Sequence, residues 1–491
     1  GVNSLNVSRT YDATTTVSNT HNKLFGPNWF GSISSDAAAL SGFELYTDSA
    51  TGMHYFLADG GSLLAYRKTS PTTFVPIGDE STQAALVVSS NTSNGTVTVT
   101  EQDGSQTTFK ADGTKWRPVC VRDTAIGRTI FSKYDSAGYV THTGTVASTI
   151  GCGTIPTTLS QGLEYSYVTV NGSQVLDKVS YFYPGQAAAV QAQYGYDSTG
   201  RLVSVQNLPG TTSSTTTTYS YNASGLVETV TDSGFAPYRY RYDSMNRLVQ
   251  VQRTQSPTGT AITAVEASFV YDLNPANNAG QQPILTAATA SLWGQENAPA
   301  FQVAVFGADQ QLTLGANNAL NLPAATDAKW RSAMFRLLDV NGLQTNTAVY
   351  GKTGWRFTAT IFDGNKAPIA SYSADATEQI IDRYNLEGSA SFDELEYASV
   401  TRYTTDLNGL EAPKSMYVGE VWSPTFEVTN PDGSSYTART HTTNTYDEGS
   451  PDGLHGLLTT QVLVLTTGPG LDITGATPLQ KTVNIFTAQQ A

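Results

Sequence analysis

Many short segments of the chain have a pattern of side chains that repeats every two residues. Residues 95–100 read GTVTVT and residues 165–170 read YSYVTV, so every second side chain falls on the same face of an extended strand. Pairs such as Asn171-Gly172 and Asp363-Gly364 separate segments of this kind and are typical of hairpin turns. The pattern predicts an all-β fold of short strands in which long helices are scarce.

One segment allows two interpretations. Trp330, Met334 and Leu337, within residues 327–338, have the spacing of one helix face, but the same residues fit a strand equally well. The sequence therefore leaves both elements open at this point of the chain.

A search for internal repeats finds three related segments, at 194–205, 219–230 and 240–251. The first reads YGYDSTGRLVSV, the third YRYDSMNRLVQV, and the second, YSYNASGLVETV, is a looser copy. Their second tyrosines are 25 and 21 residues apart, a period typical of structural units that stack. The residues that define the repeat are Tyr194, Tyr196, Asp197, Gly200, Arg201, Leu202, Tyr219, Tyr221, Gly225, Tyr240, Tyr242, Asp243, Asn246, Arg247 and Leu248.

Each copy has the chemistry of a β-hairpin. Its paired tyrosines, such as Tyr194 and Tyr196, point to one face of a strand, and the acid that follows, Asp197, opens a turn by accepting backbone N–H bonds. The fourth turn position requires a positive φ, which Gly200 adopts freely and Asn246 tolerates. Because one hairpin cannot bury its tyrosine face alone, we expect each copy to stack on the next.

The pattern YxYDxxGRLxxV resembles the YD repeat of Rhs proteins, of bacterial toxin-complex cocoon subunits and of the teneurins. Near the start of the chain, residues 8–11 (SRTY) and 25–29 (FGPNW) resemble the segment that opens the Rhs shell. The resemblance covers roughly residues 1–280. It implies a spiral β-sheet that forms a partial shell or barrel.

Two departures from the family pattern change this expectation. No DPxG-type motif is present and no effector-like tail follows Val483, so self-cleavage and a built-in toxin are not expected. The clear repeats are also too few for a shell that closes by itself. Strand edges would then need a partner, because their backbone N–H and C=O groups are templates for strand addition.

The repeat spacing is lost between residues 286 and 400. Strand-like segments that end on residues 392–395 (FDEL) resemble the jelly-roll sandwiches of carbohydrate-binding and laminin-G-like modules. We therefore expect a YD-repeat β-shell over 1–285, an inserted jelly-roll-like β-sandwich over 286–400, and a return to shell strands over 401–491.

The expected insertion also holds the candidate ligand-binding residues. Trp293, Trp330 and Trp355 are either contacts to a glycan or core residues of the sandwich. The acidic cluster of Asp393, Glu394 and Glu396 is interpreted as the solvated edge of a sandwich, with calcium binding and carboxylate catalysis as the alternatives.

Composition and charge exclude several classes of function. The formal net charge is −14 and the Lys and Arg residues are scattered singly, so the basic surface that binds nucleic acid is not expected. No apolar run approaches the roughly 18 residues that cross a bilayer, so no transmembrane segment is expected either. The histidines form no HxxxH or HxH pair, and nucleotide-binding and nucleophile-elbow motifs are missing. We therefore expect no catalytic residue, no metal and no cofactor.

The cysteines, Cys120 and Cys152, leave two alternatives. They form one disulfide that closes a loop of about 32 residues, or they are two buried free thiols. The chain opens on Gly1-Val2-Asn3 without an initiator Met, which is what a processed, exported product gives.

These observations favour a non-enzymatic, secreted or cell-surface scaffold. It would assemble with itself or with a complementary shell subunit through open strand edges. The alternatives are a carbohydrate-binding surface adhesin, and the shell fragment of a secreted Rhs-type toxin that lacks its effector.

Overall fold

The strands that the structure describes pair in antiparallel fashion and belong to two compact units. The computed structural model describes residues 5–12, 24–35, 44–47, 53–57, 63–68, 73–77, 86–87, 89–91, 95–100, 106–112, 115–123, 128–147, 150–254, 261–275, 280–387, 393–407, 410–411, 417–448, 458–471 and 477–484. The first unit comprises Gly1–Phe235, Tyr446–Thr459 and Ile485–Ala491, and the second unit comprises Ala236–Thr445 and Thr460–Asn484. The predicted all-β fold is confirmed.

The first unit begins with a hairpin of β1 (Leu5–Tyr11) and β2 (Trp29–Ser35), in which Tyr11 faces Trp29. Its other strands are β3 (Glu44–Thr47), β4 (Met53–Leu57), β5 (Leu63–Lys68), β6 (Thr73–Ile77), β7 (Leu86–Val87), β8 (Ser89–Asn91), β9 (Thr96–Thr100), β10 (Gln106–Asp112), β11 (Lys115–Asp123), β12 (Arg128–Tyr134), β13 (Val140–Thr145), β14 (Gln161–Val170), β15 (Ser173–Phe182), β16 (Ala189–Tyr196), β17 (Leu202–Asn207), β18 (Thr215–Tyr221) and β19 (Val227–Asp232).

These strands form a long meander, because each strand pairs with its neighbours in chain order. Strands β8 to β19 follow one another without a crossover. Strands β3 to β7 form a second run, which joins β11 through its pairing with β3. The many turn residues in the sequence predict such short connections between successive antiparallel strands.

The second unit continues with β20 (Tyr238–Tyr242), β21 (Leu248–Thr254), β22 (Ile262–Leu273), the short helix α1 (Ala287–Ala290), β23 (Phe301–Gly307), β24 (Met334–Leu338), β25 (Gln344–Tyr350), β26 (Trp355–Phe362), β27 (Pro368–Tyr372), helix α2 (Ala374–Glu387) and β28 (Ser399–Tyr403). After these come β29 (Asp406–Leu407), β30 (Leu410–Glu411), β31 (Val418–Trp422), β32 (Phe426–Thr429), β33 (Ser435–Tyr446), β34 (Leu458–Thr467) and β35 (Thr477–Val483). Short 3-10 turns lie at Ser291–Trp293, Ala308–Gln310, Ala316–Asn318, Ala328–Ser332 and Glu394–Tyr397.

The main sheet of the second unit is also a meander. Strands β20 to β28 pair in chain order, β28 then pairs with β31, and β33 pairs with both β31 and β32. The core of this unit lies on one face of the sheet, where α2 packs against β26. Its largest buried side chains include Trp293, Trp330, Phe306 and Phe335.

Residues 286–400, where an inserted sandwich is expected, continue the ladder of this meander. Strand β23 pairs with β22 before it, and β28 pairs with β31 after it, so the ladder runs through both expected boundaries. A sandwich and a continuous sheet share the same alternation of side chains, and for this reason the sequence pattern could not separate them. The precise limits of the domains stay a prediction.

Two local expectations can also be compared with the structure. The ambiguous segment contains both elements, a 3-10 turn at Ala328–Ser332 followed by strand β24. Helix α2 was not predicted, although Ala376 and Ile380 are spaced four residues apart and both are buried. Phe392 of the FDEL segment lies outside the described residues.

Candidate functional site

The turn of the first repeat is organised by one carboxylate. Oδ1 of Asp197 accepts hydrogen bonds from the backbone N–H groups of Thr199 and Arg201 at 2.9 and 3.0 Å, and Oδ2 accepts one from Nε of Arg201 at 2.8 Å. Gly200 closes the turn with a φ of 87° and donates its N–H to the carbonyl of Asp197. The Asp and Gly of the repeat are therefore required by the backbone of this turn.

These contacts also determine the ionisation of Asp197. Burial opposes ionisation of the carboxyl, but hydrogen bonds from Thr199 and Arg201 outweigh it and lower the pKa of Asp197 to about 2. A carboxylate that accepts several N–H bonds is stabilised in its charged form. The turn is therefore built around an anion at neutral pH.

In the first two copies, the tyrosine that precedes the turn connects its hairpin to an earlier one. The hydroxyl of Tyr196 donates to the carbonyl of Leu176 at 2.7 Å, and the hydroxyl of Tyr221 donates to the carbonyl of Leu202 at 2.6 Å. A register shift in the ladder precedes each of these tyrosines, and a bulge of this kind re-aims a side chain. The same contact joins Tyr134 to Pro118 and Tyr167 to Val140.

The arginine of the repeat packs in the opposite direction, onto the following hairpin. The guanidinium of Arg201 lies 4.8 Å from the ring centroid of Tyr221, a distance at which the ring quadrupole attracts a cation. In an earlier hairpin Tyr139 takes this place, with its ring 5.0 Å from that of Tyr167. Hydrogen bond and ring contact together form a joint between two hairpins, which we call the tyrosine joint.

The second unit contains the same joint. Asp243 accepts N–H bonds from Met245 and Arg247, and the guanidinium of Arg247 lies 4.7 Å from the ring centroid of Tyr271. The hydroxyl of Tyr271 donates to the carbonyl of Leu248 at 2.7 Å. The turn closes on Asn246, whose φ is 63°.

The looser second copy keeps the turn but changes the joint. Asn222 replaces the acid, and its Oδ1 accepts N–H bonds from Ser224 and Leu226 at 3.0 and 2.9 Å. Gly225 has a φ of 79°. Since Leu226 stands where the other copies have Arg, this copy has no guanidinium for the following ring.

The turn also recurs between residues 286 and 400, where the repeat spacing of the sequence is lost. Asp339 accepts N–H bonds from Asn341 and Leu343 at 2.8 Å each. Asp363 does the same with Asn365 and Ala367 at 2.9 Å each. A register shift precedes each of these acids, as in the YD copies. The sequence signal for these turns is an Asp between two strands that lacks the preceding tyrosine of the YD repeat.

An N-terminal segment covers the tyrosine face of the first two copies. The ring of Phe25, which is fully buried, lies 5.0 Å from that of Tyr194. The indole of Trp29 packs edge-on against Tyr219 at 5.0 Å, and its Nε1 donates to the hydroxyl of Tyr221 at 2.9 Å. The tyrosines that the sequence assigns to packing between rungs thus also bind the FGPNW segment.

Backbone contacts hold this N-terminal segment in place. The N–H of Leu176 donates to the carbonyl of Leu24 at 2.7 Å. A side chain at Gly26 would collide with the carbonyl oxygen of Gly200, and Gly26 has a φ of 89°. Only glycine fits here, because both the close approach and the left-handed backbone exclude a Cβ.

Burial raises the pKa of the ladder tyrosines above the usual range. Desolvation is the largest cause for Tyr196 and for Tyr221, whose pKa is lowered in part by the hydrogen bond from Trp29. A raised pKa keeps these hydroxyls protonated. They therefore remain hydrogen-bond donors to the carbonyls of the preceding hairpins.

The tryptophans expected to contact glycans have different environments. Trp293 and Trp330 are 0% and 1% exposed, so neither ring can stack on a sugar, and the core interpretation holds for both. Trp355 is half-buried, and its Nε1 donates to the carbonyl of Gln281 at 3.1 Å. For Trp355, contact with a glycan stays a prediction.

The acidic cluster has structural roles. Asp393 caps the 3-10 turn Glu394–Tyr397 by accepting the N–H of Leu395 at 3.0 Å, and Glu396 forms an ion pair with Arg383. Within the described ranges, no group of three His, Cys, Asp or Glu side chains is arranged to hold a metal ion. In the same part of the chain, no helix is long and apolar enough to cross a membrane.

The two cysteines form a disulfide. Cys120 of β11 and Cys152 of the connection between β13 and β14 are bridged, with 5.6 Å between their Cα atoms. Cys120 is 1% exposed. The bridge links the connection between β13 and β14 to strand β11.

Comparison with known proteins agrees with the repeat. Residues 123–267 match the model of the Teneurin YD-shell family, so the resemblance to YD-repeat shell proteins is confirmed over that segment. None of the curated proteins matches the chain.

Two solved structures are similar to the chain at a low level. The crystal structure of TcdB2-TccC3-Cdc42 has 10% identity and a TM-score of 0.25, over 89% of this chain and 20% of the other. The crystal structure of TcdB2-TccC3-TEV has 11% identity and a TM-score of 0.23, over 94% of this chain and 23% of the other. The chain thus spans about a fifth of the length of these proteins.

Proposed function

We propose that this chain, which carries a YD-shell segment over residues 123–267, is a non-enzymatic extracellular scaffold whose hairpins build a β-sheet wall. The observation that carries the proposal is the tyrosine joint. The hairpin of Arg201 supplies a carbonyl and a guanidinium to the next hairpin, and Tyr221 of that hairpin supplies a hydroxyl and a ring in return.

The chemistry of the joint supports a structural role. Asp197 and Arg201 are the charged residues of the first repeat, and both are used within its turn and in the joint. Charged groups committed to each other and to backbone atoms are not free to take up or release protons in a reaction. The repeat therefore favours a wall over an active site.

The disulfide supports an extracellular location. Disulfides persist in oxidising compartments and are rare in the cytosol, and Cys120 and Cys152 are bridged in the first unit. Such a bridge is therefore typical of a secreted or cell-surface protein.

We further propose that the wall assembles with other copies through β35. Among the described residues, β35 pairs with β34 alone, and its residues 479–483 are all exposed. Leu479 and Val483 are 54% and 53% exposed. An edge strand with apolar side chains and unpaired backbone groups is a template for strand addition.

Light scattering of the purified full chain tests this assembly. We expect a mass that is a multiple of one chain and rises with concentration. The double variant Leu479→Lys with Val483→Lys should return the protein to a monomer, because charges on an edge strand oppose pairing. The control Phe235→Lys, at a turn residue that is 71% exposed, should keep the assembly.

Two results would contradict the proposal. A wild-type protein that remains a monomer at every concentration removes self-assembly. Hydrogen exchange that shows the hairpins unfolding independently would contradict the β-sheet wall. Joined hairpins must lose their protection against exchange together. The interpretations as a surface adhesin and as a toxin-shell fragment stay predictions.

A further inference from the structure

The second unit contains a pocket of about 330 Å³ between β26 and α2. Trp355, Arg356 and Phe357 of β26 form one wall, together with the loop Thr353–Gly354. Helix α2 forms the other wall with Thr377, Glu378, Ile381 and Asp382. This volume lies near the lower limit of small-molecule sites, which run from about 300 to 1,000 Å³.

The indole of Trp355 is held rigidly beside this pocket. Its Nε1 donates to the carbonyl of Gln281 at 3.1 Å. Phe335 and Tyr350 pack edge-on against it, with centroids 5.1 and 5.2 Å away. A ligand that stacks on this ring would not have to immobilise the side chain, and this lowers the entropic cost of binding.

Polar groups surround the aromatic wall. Nε of Arg356 donates to Oε2 of Glu378 at 3.0 Å, and the hydroxyl of Thr353 donates to Oε1 of Glu378 at 3.2 Å. Asp382 is exposed, and its carboxylate has no hydrogen-bond partner among the described residues. The pocket thus combines one rigid aromatic ring with carboxylates, a guanidinium and a hydroxyl.

We propose that this pocket binds a single neutral pyranose unit. A pyranose presents a C–H face that packs on an aromatic ring, as other apolar surfaces do. Its hydroxyl groups donate to carboxylates such as Asp382 and Glu378 and accept from a guanidinium such as that of Arg356. The inference goes beyond the scaffold role and does not depend on it, since no atom of the tyrosine joint lines the pocket.

Charge determines which sugars fit. The lining carries two carboxylates, Glu378 and Asp382, against one guanidinium, that of Arg356, and the whole chain has a net charge of −14. Like charges in such a site disfavour an anionic ligand. We therefore expect discrimination against uronic acids and sulfated sugars.

Saturation-transfer NMR of the full chain tests the proposal. The probes are the methyl glycosides of glucose, galactose, mannose and N-acetylglucosamine, each at about 10 mM to detect millimolar affinity. At least one should receive saturation at its ring C–H protons. Methyl glucuronide should bind more weakly than the neutral glycoside that binds best.

Variants distinguish this pocket from general adhesion. Trp355→Leu should weaken binding about tenfold, the loss expected for one aromatic contact. Asp382→Asn, an exposed change that leaves the packing intact, should also weaken it. Asp309→Asn, at an exposed acid outside the pocket, should bind as the wild type does.

Each contrary result is decisive. No saturation transfer to any of the four glycosides overturns the proposal, as does tighter binding of the glucuronide. Unchanged binding by a folded Trp355→Leu variant also overturns it. If that variant does not fold, Asp382→Asn decides in its place, and wild-type affinity in it removes the site. None of these results bears on the self-assembly measured by light scattering.

Discussion

Two contacts link the hairpin of Arg201 to the hairpin of Tyr221. The guanidinium of Arg201 lies 4.8 Å from the ring centroid of Tyr221, while the hydroxyl of Tyr221 donates to the carbonyl of Leu202, the neighbour of Arg201. Arg247, Tyr271 and Leu248 repeat this relationship in the second unit. The structural element that repeats is therefore the joint between hairpins as much as the hairpin itself.

Removing one hydroxyl from this joint should measurably destabilise the first unit. Tyr221→Phe leaves the carbonyl of Leu202 without its donor and Nε1 of Trp29 without its acceptor. An unsatisfied buried group costs about 1–3 kcal/mol, and we expect a loss of that order in the free energy of unfolding by urea. Tyr183→Phe is the matched control, since Tyr183 is 44% exposed and its hydroxyl has no hydrogen bond among the described residues. Equal effects in both variants would refute the role of the joint.

The Asp197 turn should make stability depend on pH in acid. The folded pKa of Asp197 is about 2, because hydrogen bonds from Thr199 and Arg201 outweigh the opposing effect of burial. An unfolded Asp titrates near 3.9. The stabilisation is therefore complete above about pH 4 and is lost as the pH falls towards 2.

Urea midpoints between pH 6 and 2 provide the measurement. The wild type should lose more stability over this range than Asp197→Asn, which cannot ionise at this position. The control Asp309→Asn should retain the slope of the wild type. A slope in Asp197→Asn as steep as in the wild type would show that the turn carboxylate is not responsible.

Gly26 should be the position at which the N-terminal segment tolerates substitution least. An added Cβ would collide with the carbonyl oxygen of Gly200, and the φ of 89° disfavours any other residue. Gly234→Ala isolates the second effect, because Gly234 has a φ of 82° and open space around it. We expect the control to lose about 1 kcal/mol and Gly26→Ala to lose roughly 2 kcal/mol more. Similar losses in a urea titration of the two variants would show that the close approach is unimportant.

A structural feature of the repeats could be predicted from the sequence where the residues that cause it are close together in the chain. The turn of Asp197 and Gly200 was predictable, because an acceptor and a positive φ are required within four residues. The direction of the Tyr221 hydroxyl was not, because it depends on a bulge and on the register between strands. The pattern left open whether Trp293 and Trp330 are core residues or glycan contacts, since alternation identifies a face but not what covers it. Helix α2 covers part of that face, and its weak amphipathic pattern was missed.

Reduction of the disulfide should weaken the first unit. Cys120 and Cys152 are 32 residues apart in sequence, and closing a loop of that size contributes about 3 kcal/mol by constraining the unfolded chain. We expect a reductant to lower the free energy of unfolding by this order. The variant that carries both Cys120→Ala and Cys152→Ala should be equally weak and indifferent to the reductant. A wild type that unfolds identically with and without reductant would contradict the bridge.

His441 should make the second unit sensitive to mild acid. The imidazole is 1% exposed and stacks on the ring of Trp422, with 3.7 Å between centroids. Neither ring nitrogen has a hydrogen-bond partner among the described residues, and Glu420 lies 3.9 Å away. The fully buried Arg439 faces the same tryptophan ring, 5.7 Å from its centroid. Protonation of His441 would therefore place a second positive charge near the guanidinium of Arg439.

Burial lowers the pKa of His441, and the positive charges of Arg402 and Arg439 lower it further, while Glu420 opposes them. The unfolded chain binds a proton near pH 6.5 and the folded chain only at lower pH, so the stability is complete above about pH 6.5 and falls as the pH decreases below it. His441→Phe keeps the stacked ring but cannot bind this proton. Its unfolding free energy should change less than that of the wild type between pH 7.5 and 5, as measured by urea titration with tryptophan fluorescence. His142→Phe, in the first unit, should retain the wild-type dependence. If His441→Phe loses stability in acid as steeply as the wild type does, the proton responsible binds elsewhere.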